Sequence, residues 1–131
     1  MSERAPISPR DVTVVIPCLN EAGSLPGVLA AVPPGYRTVV VDNNSTDDTA
    51  AVAAAHGASV VREPVPGYGS AVHAGVLAAQ TMVVCVLDGD GSMDPGDLPR
   101  LVAPPGSGAR HARGGRRGTW PRHTRVGKPR H

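Results

Sequence analysis

The sequence lacks long apolar runs, and it has only two cysteines. No stretch of its 131 residues approaches the roughly 20 apolar residues that a transmembrane helix needs. The first eleven residues are polar and contain proline, unlike a secretory signal peptide. Cys18 and Cys85 lie inside or just after short apolar runs, which favours buried free thiols over a disulfide framework. We therefore expect a cytoplasmic protein.

Acidic residues are absent from the end of the chain. Residues 1–99 contain all eleven Asp and Glu but only four of the thirteen Lys and Arg, whereas residues 100–131 contain nine bases and no acid. The total charge of +2 is therefore the sum of an acidic body and a basic end. The length favours a single domain.

Four short runs rich in valine predict strands, and the segments between them predict helices. The predicted strands are residues 12–17, 38–41, 58–61 and 82–87. The predicted helices are residues 24–32, a segment that runs from the capping-box pair Ser45 and Asp48 to His56, and residues from about 71 to 80. Because strands and helices alternate, the sequence predicts an α/β fold with a mostly parallel sheet, flanking helices and right-handed crossovers.

The fourth predicted strand runs directly into Asp88, Gly89 and Asp90. Its apolar residues are continuous, as in a strand buried on both faces, and ligands of open parallel sheets bind beyond the carboxyl ends of such strands. Residues i and i+2 of an extended segment point to one side, so the two carboxylates can converge on one Mg²⁺ or Mn²⁺ ion. A polar surface turn is the alternative interpretation, because Asp and Gly are ordinary turn residues.

Polar residues also follow the first two predicted strands. Asn20 and Glu21 follow the first strand, and Asp42 and Asn43 follow the second. Because the carboxyl ends of parallel strands share one edge of the sheet, we expect these residues to gather there. The alternative is that Asp42 caps its local turn and that Asn20 and Glu21 cap the first helix. A dinucleotide fold is disfavoured, because no Gly-x-Gly-x-x-Gly turn follows the first strand.

In these stretches the chain resembles the family 2 glycosyltransferases of GT-A fold, particularly the branch similar to dolichyl-phosphate-mannose synthase. The resemblance rests on residues 14–21 (VVIPCLNE), 39–47 (VVVDNNSTD), 67–71 (GYGSA) and 87–90 (LDGD), within roughly residues 12–102. It implies a partial GT-A, Rossmann-like sheet and an enzyme that moves a sugar, with inversion, from a UDP- or GDP-sugar to an acceptor. It also implies a possible lipid-phosphate acceptor at the membrane surface, where the protein would bind peripherally, and no specific nucleic-acid partner.

The resemblance further implies roles for seven residues. Pro17, Leu19 and Glu21 would line the nucleoside pocket, Asp42 and Asn43 would face the base and ribose, and Asp88 and Asp90 would hold Mg²⁺ or Mn²⁺ against the diphosphate. Many relatives have a second Asp where this chain has Asn43, and an amide can donate as well as accept, so the preferred base could differ. No Asp or Glu follows Asp97, so the carboxylate that serves as general base in many inverting relatives is not identified.

These observations divide the chain into an N-terminal extension (1–11), a nucleotide-sugar-binding half (12–103) and a basic Pro/Gly/Arg-rich tail (104–131). The tail has one aliphatic residue larger than alanine, Val126, and one aromatic residue, Trp120, so we expect it to be disordered. Its composition resembles a GC-rich reading frame translated out of register, and truncation or a frameshift after about residue 103 is our leading interpretation. A basic arm that binds nucleic acid or membrane is the alternative.

Two other functions stay open at this point. One is a non-catalytic nucleotide-binding fragment that lacks the acceptor half of the site. The other is a sugar-1-phosphate nucleotidyltransferase, although such enzymes usually have a Gly-rich basic loop after the first strand, which this chain lacks.

Overall fold

A computed structural model of the chain describes residues 7–101. Its strands and helices are β1 (Val12–Cys18), α1 (Leu25–Ala31), β2 (Arg37–Asp42), α2 (Thr49–Ala55), β3 (Ser59–Arg62), α3 (Tyr68–Ala78), β4 (Val83–Val86) and α4 (Leu98–Leu101). Short 3₁₀ turns at Pro9–Asp11 and Pro95–Asp97 precede β1 and α4. The predictions for the tail (104–131), and for residues 1–6 of the N-terminal extension, lie outside the described residues.

The four strands form one sheet in the order β3-β2-β1-β4. β1 pairs in parallel with β2 on one side and with β4 on the other, so that Val15 lies opposite both Val39 and Val86. β3 pairs in parallel with the outer side of β2. The predicted α/β fold with a parallel sheet is confirmed, and this order places the carboxyl ends of β2, β1 and β4 side by side.

Both faces of the sheet are buried along β1 and along most of β2 and β4, which explains why these strand sequences are almost continuously apolar. All seven residues of β1 are buried. Val12, Val14 and Ile16 pack on the face that carries α1 and α2, whereas Val15 packs on the opposite face against α3. The period-2 alternation of a strand therefore divides one valine-rich run between two cores.

Gly75 allows α3 to pack directly against the sheet. A Cβ at this position would overlap Cγ1 of Val15 and lie 3.1 Å from Cγ2 of Val41. The close approach fixes α3 across β1 and β2, the two strands with which it makes most of its contacts. As a result, the first turn of α3 lies near the edge where these strands end.

Two local predictions differ from the structure. α3 begins at Tyr68, three residues earlier than predicted, because the preceding turn is completed at Gly67, whose φ is +121°. The capping box predicted for Ser45 and Asp48 is wrong: Asp48 is the N-cap of α2, but its side chain makes no capping hydrogen bond. The Ser45 hydroxyl oxygen instead accepts a hydrogen bond from the backbone N–H of Asn20 at 2.9 Å.

Cys18 and Cys85 are both buried and form no disulfide, as the sequence predicted. Within residues 7–101, no helix is both long enough and apolar enough to span a membrane.

Candidate functional site

A cleft of about 290 Å³ opens at the edge of the sheet where β1, β2 and β4 end. Its lining includes six of the seven residues predicted to form the site: Pro17, Leu19, Glu21, Asn43, Asp88 and Asp90. The remaining lining residues are Cys18, Gly67, Tyr68, Ala71 and Gly89. The structure therefore brings together residues from three strand ends and from the start of α3, and Asp42 is the predicted residue that does not line the cleft.

We call the part of the cleft formed by Asp88, Gly89 and Asp90 the carboxylate end. The chain enters it from β4 through Leu87, whose backbone N–H donates to a β1 carbonyl at 2.9 Å. Asp88 is half-buried and Asp90 is exposed. Ser92 donates to both, from its backbone N–H to Asp90 Oδ1 at 2.8 Å and from its hydroxyl to Asp88 Oδ2 at 3.2 Å. Both carboxylates are thus held in one short turn.

Gly89 is the buried point about which this turn is built. A Cβ at Gly89 would lie 2.6 Å from Sγ of Cys18 and 3.4 Å from Cγ2 of Ile16. The Gly89 carbonyl accepts a hydrogen bond from the Ser24 hydroxyl, just before α1, at 2.5 Å. A side chain at this position would therefore displace the two neighbouring aspartates.

Glu21 places a third acid beside the carboxylate end. Burial raises the pKa of the Glu21 carboxyl, and the negative charges of Asp90 and Asp88 raise it further. The Ser24 hydroxyl, which donates to Glu21 Oε1 at 3.2 Å, acts in the opposite direction. Because like charges gather here, a bound cation would stabilise the site.

The two aspartates fit a divalent cation that is shared with a ligand. Within residues 7–101, no cluster of three or more His, Cys, Asp or Glu is arranged to hold a metal by itself. Mg²⁺ is usually bound by one or two carboxylates together with substrate phosphates, and Mn²⁺ favours similar oxygen ligands. Asp88 and Asp90 supply such a pair of carboxylates at the cleft. These oxygen donors suit Mg²⁺ or Mn²⁺, and the role of the two aspartates as metal ligands stays a prediction.

The other end of the cleft, which we call the amide end, is formed by Asn43, Gly67 and Tyr68. Asn43 is only 6% exposed. Its Nδ2 donates to the carbonyls of Glu63 and Val65, each at 2.8 Å, and its Oδ1 accepts from the backbone N–H of Gly67 at 3.0 Å. The Asn43 side chain thus joins the end of β2 to the segment that leads into α3.

Asp42 has local partners of its own. It is 5% exposed, and its Oδ1 accepts from the backbone N–H of Ser45 at 3.0 Å, so it caps the turn after β2. Its Oδ2 forms an ion pair with Arg62 at 3.4 Å. Because the Arg62 side chain is 74% exposed, this pair adds little stability. The contact of Asp42 with a nucleotide stays a prediction.

Asn20 fastens the loop after β1 to the loop after β2. Its φ is +57°, and its Oδ1 accepts from the backbone N–H groups of Thr46 at 2.7 Å and Asp47 at 3.2 Å. Asp47 in turn accepts from the backbone N–H of Ala22 at 3.1 Å. We call the contacts among Asn20, Ala22, Ser45, Thr46 and Asp47 the clasp. The clasp holds the backbone on either side of Asn20, where two lining residues lie.

Besides Gly89, which lies between the two predicted aspartates, four lining residues had no assigned role in the sequence prediction. Gly67, Tyr68 and Ala71 belong to the GYGSA stretch, whose glycine-rich turn before a helix was the available signal. Cys18 was predicted only to be buried. Burial raises the pKa of the Cys18 thiol far above its ordinary value, and nearby acids raise it further. Cys18 is therefore a packing residue beneath the carboxylate end, and a thiolate nucleophile is disfavoured.

The model of the glycosyl transferase family 2 matches residues 13–128 of this chain. The chain belongs to glycosyl transferase family 2. The matched region extends past residue 103. The domain boundary predicted near that residue stays a prediction.

Two relatives illustrate the family's range. The uncharacterized glycosyltransferase Rv0539 of Mycobacterium tuberculosis is 68% identical over 120 residues, which cover 88% of this chain and 55% of that protein. The undecaprenyl-phosphate 4-deoxy-4-formamido-L-arabinose transferase of Aeromonas hydrophila is 33% identical over 105 residues, covering 70% of this chain and 32% of that protein. This chain thus spans about half the length, or less, of these family 2 relatives.

A solved structure matches the fold as well as the sequence. Glucosyl-3-phosphoglycerate synthase from Mycobacterium tuberculosis, in complex with Mn²⁺, UDP and glucosyl-3-phosphoglycerate, superposes with a TM-score of 0.63 at 32% identity. The match covers 71% of this chain and 38% of that one. The predicted GT-A fold is confirmed for the described part of this family 2 chain.

Proposed function

We propose that this chain binds a nucleotide-sugar in the cleft and supplies the donor-binding half of a glycosyltransferase. One observation carries the proposal: Asp88 and Asp90 line the same cleft as Leu19 and Asn43. A diphosphate and a nucleoside can therefore be bound side by side. Membership of family 2 supports this function, and the related synthase that binds UDP and Mn²⁺ supports UDP as the nucleotide.

The carboxylate end is proposed to bind the diphosphate. Asp88 and Asp90 would hold Mg²⁺ or Mn²⁺ there, and the bound metal would offset the negative charge of the departing nucleoside diphosphate. Gly89 keeps the two aspartates in place, because a side chain there would meet Cys18 and Ile16. Glu21 adds a carboxylate whose charge is better tolerated once a cation is present.

The amide end is proposed to bind the nucleoside. Leu19 and Tyr68 are 55% and 45% exposed and line the cleft, so they offer apolar and aromatic surface to a planar base. Pro17, near the end of β1, is buried and also lines the cleft. Asp42 acts indirectly in this proposal, because it caps the turn that follows β2.

The reaction proposed for the whole enzyme is transfer with inversion. An acceptor oxygen would attack the anomeric carbon of the sugar from the face opposite the nucleoside diphosphate. We propose a polyprenyl phosphate as acceptor, which the similarity to an undecaprenyl-phosphate transferase supports. Such an acceptor would bring the protein to the cytoplasmic surface of a membrane.

Calorimetric titration of the full chain with UDP and GDP, with and without Mn²⁺, tests the donor site. We expect UDP to bind with Mn²⁺, and Asp88→Asn to weaken that binding by at least about ten-fold. Asp48→Asn is the matched control, because it removes the same charge from an exposed residue outside the cleft. The proposal is wrong if neither nucleotide binds under any metal condition, or if both variants behave alike.

Nucleotide binding without sugar transfer by this chain is the second candidate function. The observation that favours it is the sequence after Asp97, which contains no carboxylate that could act as general base. It predicts Mn²⁺-dependent UDP binding with no sugar transfer from a UDP-sugar to a polyprenyl phosphate. Turnover by the full chain with that pair of substrates would exclude it.

A further inference from the structure

Asn43 uses both hydrogen-bond donors of its amide inside the protein. Both go to backbone carbonyls of the segment between β3 and α3, those of Glu63 and Val65, and the Asn43 Oδ1 accepts from Gly67. At 6% exposure, Asn43 is one of the few buried polar side chains of the described region. The resemblance implies that this residue faces the base. After these three bonds, the Asn43 amide has one lone pair on Oδ1 left with which to contact a base.

The chemistry of these partners requires an amide. A carbonyl can only accept and a backbone N–H can only donate, so the three bonds fix which atom of the Asn43 side chain is nitrogen. A carboxylate at this position would keep an acceptor for Gly67 but would face the carbonyls of Glu63 and Val65 with a negative charge. Buried acceptors in that arrangement repel one another, and the charge loses its solvation.

The segment that Asn43 holds leads to one wall of the cleft, which it reaches at Gly67. The wall segment, residues 63–67, starts at Glu63, whose backbone N–H donates to a β2 carbonyl at 3.0 Å. It ends at Gly67, which has a φ of +121° and whose carbonyl accepts the first backbone bond of α3 from Ala71. Asn43 is anchored to the sheet, because its backbone N–H donates to the Cys18 carbonyl at 2.9 Å.

Exposure shows why the wall segment depends on this anchor. Glu63 is half-buried, whereas Pro64, Val65, Pro66 and Gly67 are all exposed, so burial contributes little to holding them. The two prolines in the segment have no N–H to donate. The Asn43 amide therefore supplies three bonds to a segment that is otherwise on the surface.

We infer that Asn43 is a positioning residue that fixes the wall segment, and through it the Gly67–Tyr68 side of the nucleoside pocket; this inference rests on the proposed function. Its amide acts on the nucleotide through the shape of the pocket. The chain consequently requires Asn at this position, and Asp, which many relatives have here, is predicted to be unfavourable in this sequence.

Asn43→Asp in the full chain tests this inference by two measurements. The first is amide hydrogen exchange of residues 63–68, which should become faster while exchange in β1 stays unchanged. The second is the affinity, in the presence of Mn²⁺, for UDP and for inorganic pyrophosphate. We expect UDP to bind about ten-fold more weakly, because a buried polar network is broken. Pyrophosphate, which has no nucleoside, should bind as it does to the unmodified chain.

Two further variants complete the design. Asn44→Asp adds the same charge one residue later, at an exposed side chain whose amide makes one bond to the wall segment, to the Pro64 carbonyl at 3.1 Å. It should change UDP affinity much less than Asn43→Asp does. Asn43→Ala removes all three bonds without adding charge and replaces Asn43→Asp if that variant does not fold.

The outcomes separate the positioning role from the proposed function. Unchanged exchange of residues 63–68 in both Asn43 variants overturns the inference. So does an equal loss of UDP and pyrophosphate binding, or an Asn44→Asp variant that matches Asn43→Asp. If the unmodified chain binds neither ligand, the proposed function fails, while the exchange measurement still decides whether Asn43 holds the wall segment.

Discussion

The hydrogen bonds that hold the amide end and the clasp join residues far apart in the sequence, whereas those within the carboxylate end join residues close together. At the amide end and the clasp, the side chains of Asn43 and Asn20 bond to groups that lie 20 to 27 residues away in the sequence. At the carboxylate end, the bonds that Ser92 donates to Asp90 and Asp88 span two and four residues. The bond from Ser24 to Gly89, across 65 residues, is the long-range contact described there.

If the proposed function is correct, this difference predicts two modes of binding within one site. Long-range bonds tie separate loops to each other and to the sheet, so the amide end has its shape before a ligand binds. A turn held by local bonds between acids and a serine can adjust its carboxylates around a cation. Preorganisation lowers the cost of binding where shape must be matched, and adaptable carboxylates suit a shared metal with its phosphate.

Gly89→Ala is expected to have the largest effect, because it disturbs the one buried point of the carboxylate end. Its methyl group would lie 2.6 Å from Sγ of Cys18, so the turn or the sheet edge must shift. We expect a loss of about 3 kcal/mol in the free energy of unfolding, at the upper end of the usual range for overpacked sites. Denaturant unfolding measures this loss, and titration with UDP and Mn²⁺ should show much weaker binding.

Cys18→Ala provides the test of that explanation. Adding it to Gly89→Ala removes the sulfur that the new methyl group meets, and should recover most of the stability and the Mn²⁺-dependent binding. No recovery in the double variant would show that the effect does not come from the Cys18 contact.

Asn20→Ala is expected to have the second largest effect, because it opens the clasp. It removes the acceptor for the backbone N–H groups of Thr46 and Asp47 and leaves alanine at a φ of +57°. Together these changes should cost about 2 kcal/mol of unfolding free energy. Asn20→Gly tolerates the backbone conformation, so it should lose only the bonds, about 1 kcal/mol.

The pair of Asn20 variants sharpens the comparison between the two ends. Both should weaken UDP binding more than pyrophosphate binding, since the clasp supports the loop that carries Leu19. Equal stability of the alanine and glycine variants would contradict the strain at this residue. If both keep the stability of the unmodified chain, the clasp does not hold the loops together.

The contrast in range also explains what the sequence could predict. A strand that is buried on both faces needs a continuous apolar run, and such a run can be recognised within a few residues of sequence. The valine-rich runs therefore predict strands, and β1 starts at the predicted residue. Asp88 and Asp90 could be predicted as a pair because their spacing and strand setting lie within one short stretch. Most of the carboxylate end could therefore be predicted from a short stretch of sequence.

The partners of Asn43 and Asn20 could not be predicted in the same way. Nothing near Asn43 in the sequence indicates that it bonds to the carbonyls of Glu63 and Val65, because the fold alone brings them together. The capping box failed for a related reason. The spacing of Ser45 and Asp48 was suitable, but the Ser45 hydroxyl had a long-range partner in Asn20.

Ser24→Ala is expected to have a smaller effect that compares a long-range bond with a local one. It removes the hydroxyl that donates to the Gly89 carbonyl at 2.5 Å, at a cost of about 1 kcal/mol of unfolding free energy. Ser92→Ala is the matched control, because it removes an exposed hydroxyl that donates within the same turn, and should cost less than about 0.5 kcal/mol. Denaturant unfolding distinguishes them, and a larger cost for Ser92→Ala would reverse our account of the carboxylate end.

The smallest expected effect is the acid sensitivity of the clasp, which depends on Asp47. The hydroxyl of Thr49 donates to the Asp47 carboxylate and lowers its pKa, and the backbone N–H groups of Thr49 and Ala22 lower it further. Because the pKa is lower in the folded chain, the contribution is complete above the ordinary value of 3.8 and is lost as the pH falls through the folded value. Between about pH 5 and about pH 3, the melting temperature of the unmodified chain should therefore fall more than that of Asp47→Asn.

Asp48→Asn is the control for this prediction. It removes a neighbouring exposed acid that makes no capping bond, so it should keep the full acid sensitivity. If Asp47→Asn is as acid-sensitive as the unmodified chain, the Asp47 carboxylate does not contribute to the clasp.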